Sequence, residues 1–216
     1  MLKYIFIILA FLCSACSDYQ LIDRQVTKTV ENVDQIDILL AVDYSCSMMS
    51  EAKVIHYGLA NNLDWLAQQE YDYHLGYTST DPSKGFFRDL TNNPNPGWIL
   101  ADLFATPYYI TGEGEAGFDA TLKIKELYPD FFRPTATPII IIVSDEEDQS
   151  KITANEWFTY WPTDVLLAAM VGTGTNVSRL NNCDADYAPL YIDAADYTID
   201  ICDPGPWNII QSVLGL

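Results

Sequence analysis

The sequence is poor in positive charge. Of 216 residues only 11 are Lys or Arg, against 30 Asp or Glu, and the formal net charge is -19. A surface of that sign repels phosphate backbones, which argues against nucleic acid as a partner. Histidine is scarcer still. The only two, His56 and His74, fall in no Ser-His-Asp order and no zinc spacing, so both read as structural. No glycine-rich phosphate loop ending in Lys is present, which argues against a nucleotide hydrolase. There is no internal repeat and no low-complexity stretch. Apolar residues are plentiful: they make up 49% of the chain, with 14 Tyr, 9 Phe and 5 Trp, enough for a full core and too many for a disordered chain. The length suits one domain with small additions.

The N-terminus reads as a targeting segment. Lys3 precedes the apolar run from Tyr4 to Leu12, which is too short to span a bilayer as a mature helix. Small residues follow in Ser14-Ala15-Cys16. The stretch resembles a bacterial lipoprotein signal, with residues 1–15 removed and Cys16 the lipidated first residue. It departs from that pattern at Cys13, where Leu is usual; ordinary secretion without lipid is the alternative. Residues 16–34 are polar and lack periodicity, and they read as a tether. Cys46, Cys183 and Cys202 then remain. In an oxidising compartment a Cys183–Cys202 disulfide is expected, leaving Cys46 odd; three free thiols are the alternative.

From Gln35 onwards strands and helices alternate. Buried strands are expected at Ile36 to Val42, Pro138 to Val143 and Val165 to Val171, each a near-continuous apolar run. Further strands are expected at Tyr73 to Thr78, Phe86 to Leu90 and Tyr197 to Ile201. Helices are expected over Met48 to Gln69, Glu115 to Leu127, residues 153 to 161, and Trp207 to Leu214. In the first helix Ala52, Ile55, Leu59, Leu63 and Leu66 form one stripe. In the second, Ala116, Phe118 and Leu122 face inward, and Pro129 stops the helix. Most of residues 82 to 114, rich in Pro, Gly and Asn, reads as surface loop. The expected fold over residues 35–216 is α/β: a doubly wound, mostly parallel sheet flanked by helices, with ligands bound outside the carboxyl ends of the strands.

Two acidic positions fall at such ends. Asp43-x-Ser45-x-Ser47 directly follows the first strand, and a tight turn there aims one carboxylate and two hydroxyls at one point. Asp145 ends a second central strand and adds a carboxylate. These hard oxygen donors suit Mg²⁺, Mn²⁺ or Ca²⁺. The plain alternative is that Ser45 or Ser47 only caps the following helix. Asp81, Glu146, Glu147 and Asp148 read as a solvated rim.

Residues 36 to 48, Ile-Asp-Ile-Leu-Leu-Ala-Val-Asp-Tyr-Ser-Cys-Ser-Met, resemble the first strand and metal-ion-dependent adhesion site of von Willebrand factor type A domains. Ile139 to Asp145 resemble that family's later core strand and its site aspartate. Phe132-Arg133-Pro134 through Ser150, and Ile201-Cys202-Asp203 followed by Trp207, are similar to a bacterial lipoprotein branch. The resemblance implies that Asp43, Ser45, Ser47 and Asp145 hold the cation, which binds an acidic side chain of a partner protein. Three positions depart from the pattern. Cys46 stands where Gly is usual, and Glu146 stands where Gly often follows the aspartate. The family's separate site threonine has no clean counterpart: Thr111 lies too early, and Glu115 falls nearest its place as a substitute hard ligand.

The resemblance therefore implies a lipid-anchored, non-enzymatic, metal-dependent binding module of the cell envelope. One alternative is a metal-dependent phosphoester hydrolase using Asp43. Haloacid dehalogenase-like phosphatases carry a second Asp two residues after the first, however, and Ser45 stands there. The other is a structural envelope protein with a decayed metal site.

Overall fold

The computed structural model describes residues 35–45, 47–49, 52–69, 71–93, 96–97, 114–174, 183, 185–202 and 209–214. The expected signal, Cys16 and tether, together with Cys46, Thr111 and the His56 side chain, lie outside what is described.

Six strands make one sheet: β1 (Gln35–Val42), β2 (Asp72–Ser79), β3 (Phe87–Asp89), β4 (Thr137–Ser144), β5 (Leu166–Val171) and β6 (Tyr197–Asp200). Their order is β3-β2-β1-β4-β5-β6, and only β3 runs antiparallel, at an edge. The helices are α1 (Ala52–Leu66), α2 (Gly117–Leu127), α3 (Ala154–Thr159), α4 (Pro189–Ala194) and α5 (Ile209–Val213). The doubly wound, mostly parallel α/β sheet expected from the sequence is the fold observed. The first helix, expected from Met48, begins at Ala52, where its apolar stripe starts, because a short 3-10 turn, Ser47–Met49, precedes α1. The short α4 was not foreseen.

The continuous apolar runs follow from burial on both faces. Alternate residues of β1 point to opposite layers. Ile36, Ile38, Leu40 and Val42 pack with Ile55, Leu59, Leu63 and Leu66 of α1 and with Ile209, Ile210 and Val213 of α5. Leu39 and Ala41 pack on the other face with Phe118 and Ile124 of α2, Trp157 of α3 and Tyr191 of α4. Fully burying each Leu, Ile or Phe is worth about 1.5–3 kcal/mol, so the two layers fix which helix covers which face. Leu122, expected inward on α2, is only partly buried against this second layer; Ala120, Thr121 and Ile124 take the inner positions.

Asp37 interrupts the apolar run of β1 and is fully buried. Arg133 explains it. Its backbone N–H donates to Asp37 Oδ2 (2.5 Å) and its Nε to Asp37 Oδ1 (2.8 Å). Its Nη1 donates to Asp72 Oδ1 (2.6 Å), and its Nη2 donates to the carbonyls of Ile36 and Asp72 (both 3.0 Å). His74 Nδ1 donates to the Phe131 carbonyl (2.9 Å), which makes His74 structural as expected. One guanidinium therefore ties the amino ends of β1 and β2 together, opposite the carboxyl ends.

Removing one partner of a buried ion pair leaves the other charge uncompensated, at a cost of about 3–5 kcal/mol. Arg133→Met is expected to lower unfolding stability by about 3 kcal/mol, because the arginine is partly solvated. Asp37→Asn with Arg133→Met together is expected to cost clearly less than the two singles added. Urea denaturation of the four proteins measures both.

Candidate metal centre

Strand order reverses between β1 and β4. In this register Val42 pairs with Val143, so Asp43 and Ser144 emerge side by side and Asp145 follows. The ladder continues one step further, as Asp43 N–H donates to the Val143 carbonyl (2.8 Å). The two expected carboxylates thus leave adjacent strands at the topological switch point.

Asp43 and Asp145 are 2% and 3% exposed, whereas Ser47 lies at the open surface. The turn after β1 is shaped by Asp43, whose Oδ1 accepts from the Ser45 backbone N–H (2.7 Å). That turn brings the Ser45 and Ser47 hydroxyls within 2.6 Å of each other. The Ser47 hydroxyl donates to Asp145 Oδ1 (3.2 Å), so Ser45 is the donor to Ser47. Ser144, which the sequence reading passed over, is fully buried and donates to Asp43 Oδ2 (2.9 Å). A lone hydroxyl ending an isoleucine-valine run was the signal for it.

Burial pushes the Asp43 carboxyl above its ordinary value, against hydrogen bonds from Ser45, Ser144 and Asp145 that pull the other way. The Asp43 and Asp145 carboxyls therefore act on each other at neighbouring strand ends. Two carboxyls so placed must share a proton or a cation. Two hard carboxylates beneath two hydroxyls at a surface opening fit a hard divalent ion, and not a soft one.

Glu115 lies at the same rim, just before α2. It is 6% exposed, and its Oε2 accepts from Gln149 Nε2 (2.6 Å). Its carboxyl is raised chiefly by burial, then by the charges of Asp43, Glu146 and Asp81. Among the described residues no three His, Cys, Asp or Glu side chains form a metal-binding group.

The rim expected after Asp145 is only partly solvated. Asp148 is buried, accepting from Tyr191 Oη (2.8 Å) and Ser150 Oγ (2.9 Å). Burial raises its carboxyl. Tyr191 Oη also accepts from the Gly117 backbone N–H (3.0 Å). A Cβ at Gly117 would sit 2.7 Å from that oxygen, so only glycine admits this contact. Glu147 accepts from the Leu190 backbone N–H (3.1 Å). Asp81 holds the Ser83 N–H (2.8 Å) and faces Lys84 (4.0 Å). Behind this rim a disulfide joins Cys183 to Cys202, with Cα atoms 5.6 Å apart, the pairing expected for an oxidising compartment.

No protein-family model matches the chain, and no curated protein is significantly similar to it in sequence. Solved structures are similar in fold. A von Willebrand factor type A protein from Catenulispora acidiphila superposes with a TM-score of 0.52 at 13% identity, over 84% of this chain and 42% of that one. This chain has the von Willebrand factor type A fold. Proximal thread matrix protein 1 from the mussel byssus gives a TM-score of 0.54 at 12% identity, over 85% of this chain and 48% of that one. A further structure of that mussel protein has a zinc-occupied MIDAS motif, with a TM-score of 0.53, 11% identity and the same coverage. BatB from Bacteroides thetaiotaomicron gives 0.51 at 15% identity, over 83% of this chain and 97% of that one. This chain spans about half the length of the mussel protein and rather less of the Catenulispora one.

Because the folded values of Asp43, Glu115 and Asp148 lie above their ordinary ones, each favours the folded state in its protonated form. That contribution is complete below the ordinary carboxylate range of about 4 and is lost as pH rises through the folded values. In chelator-treated protein, Asp43→Asn is therefore expected to be more stable than the parent at pH 7. The gain should fade to nothing as the pH falls below about 4. Denaturant melts across pH test the sign.

Proposed function

We propose that this chain is a non-enzymatic, metal-dependent protein-binding module of the bacterial cell envelope. In this reading Asp43, Ser45, Ser47 and Asp145 hold one divalent cation, Mg²⁺, Mn²⁺ or Ca²⁺, and Glu115 supports it from the α2 loop. An acidic side chain of a partner protein completes the coordination from outside. Cys16 carries the lipid that anchors the module, and residues 16–34 hold it off the membrane.

The observation that carries the reading is the emergence of the buried Asp43 and Asp145 from adjacent strand ends, with the Ser47 hydroxyl bonded to Asp145 and the Ser45 hydroxyl 2.6 Å from that of Ser47. The serine pair stands at the mouth, where a ligand from solvent has access. The zinc-occupied MIDAS of the mussel protein, a chain of the same fold, supports a divalent ion. When bound, such an ion supplies an open Lewis-acidic position for an oxygen ligand. The residues do the rest. Asp43 and Asp145 provide the charge that holds it, Ser45 and Ser47 turn their oxygen lone pairs towards it, and Ser144 fixes the orientation of Asp43. Ser45 two residues after Asp43, in place of a second aspartate, supports a binding role over phosphoester hydrolysis.

Calorimetric titration with Mg²⁺, Mn²⁺ and Ca²⁺ is expected to give one site, absent in Asp43→Ala. Ser144→Ala is expected to weaken it by about 10- to 100-fold, the usual effect of losing a group that orients a metal ligand. No heat at millimolar metal, or equal affinity in Asp43→Ala, would sink the proposal. Turnover of a generic phosphate ester with Mg²⁺, lost in Asp43→Asn, would replace it with the hydrolase reading.

A further inference from the structure

Residues 186 to 191 are stitched to the turn that carries Asp145. The Asp186 N–H donates to the Asp145 carbonyl (2.8 Å). The Leu190 N–H donates to both Glu147 carboxylate oxygens (3.1 and 3.2 Å). Tyr191 Oη donates to Asp148 Oδ1 (2.8 Å). The Ala188 N–H donates back to the Gly172 carbonyl (3.0 Å), and a Cβ at Gly172 would come within 2.0 Å of the Asp186 carbonyl oxygen. The segment is thus fixed against the end of β5 as well, and the Cys183–Cys202 bond anchors the chain just before it.

Between these stitches project two large apolar side chains. Tyr187 is 58% exposed and Leu190 is 51% exposed, while their neighbours Ala188 and Tyr191 are fully buried. Core packing does not require such exposure. A segment held at this many points gives the backbone of both residues a fixed position. From the Asp186 bond and backbone dimensions, the Tyr187 Cα lies no more than about 8 Å from the Asp145 carbonyl oxygen. That is the reach of two to four extended residues.

We infer that Tyr187 and Leu190 form a specificity surface beside the cation point, for a partner segment that carries an aromatic or large aliphatic side chain within four residues of its metal-binding carboxylate. The inference rests on the cation reading above. Charge complementarity completes the description of the occupant. The charges of Asp43, Glu146 and Asp81 all bear on Glu115, in a chain of net charge -19. A segment offering a carboxylate alone would approach against that field. The fitting segment therefore bears Lys or Arg next to its single acid. Aromatic and aliphatic side chains on a fixed backbone are efficient anchors, because each gives a large apolar contact for only two rotatable χ angles.

The test uses a phage library of random nonapeptides with a fixed central Asp, selected on the immobilised full-length chain in Mg²⁺. Two features are expected among EDTA-eluted binders. Aromatic or large aliphatic residues within four positions of the Asp should be enriched about tenfold, and Lys or Arg should be enriched beside it. Selection on Tyr187→Ser/Leu190→Ser is expected to lose the apolar enrichment and keep the basic one, with Mg²⁺ affinity by calorimetry equal to the parent. Apolar enrichment that persists in the double variant, or is absent from the parent, overturns the inference. If the parent binds Mg²⁺ but selects no peptide, this surface is refuted while the cation reading stands. If it binds no divalent ion, the cation reading fails and the surface fails with it.

Discussion

Two carboxylic acids meeting out of water is the constraint around which the molecule is arranged. Asp43 and Asp145 sit at the ends of neighbouring parallel strands, and burial raises the Asp43 carboxyl. Left alone, such a pair opposes folding. The surrounding residues contain that cost. Ser144 and the Ser45 N–H satisfy the two Asp43 oxygens, and Ser47 donates to Asp145. In the proposed reading, a bound divalent cation would relieve that cost, and its affinity would draw on it.

The sheet can hold this because its opposite end is neutralised differently. There the buried carboxylate, Asp37, has a resident counterion in Arg133, and the guanidinium also caps backbone carbonyls of two strands. One end of β1 therefore carries its positive charge in the chain, and in the proposed reading the other takes it from a bound cation. Asp37 lies on the strand and Asp43 directly follows it.

Much of this was legible in the sequence. The apolar runs from Ile36 and Pro138 are long, rich in β-branched residues and followed at once by polar turns, so their pairing at the centre of a parallel sheet followed from pattern alone. The positions of Asp43, Ser45, Ser47 and Asp145 at strand ends followed from the same runs. Hydroxyl and amide partnerships were less legible, because they join residues about a hundred positions apart. Ser144 reads as a strand terminus until its neighbour across the ladder is known. Asp148 reads as solvated rim until Tyr191 is seen to cover it. Helix α4 escaped because it is six residues long and begins at Pro189, too short for any apolar period to show. Its position depends on the bonds of Leu190 and Tyr191 to Glu147 and Asp148, which lie outside its own sequence.

The register between β1 and β4 carries a further implication for how this chain can vary. Side chains alternate between the two layers with a period of two, so inserting one residue between Pro138 and Val143 would put Val143 in the place of Ser144 and Ser144 in that of Asp145. The hydroxyl that now steadies Asp43 would face the wrong way, and the isoleucines would trade helices. A shift by two would keep each side chain on its layer but carry Ser144 and Asp145 about 7 Å along the strand from Asp43. Its phase, more than its composition, is what descent must keep intact.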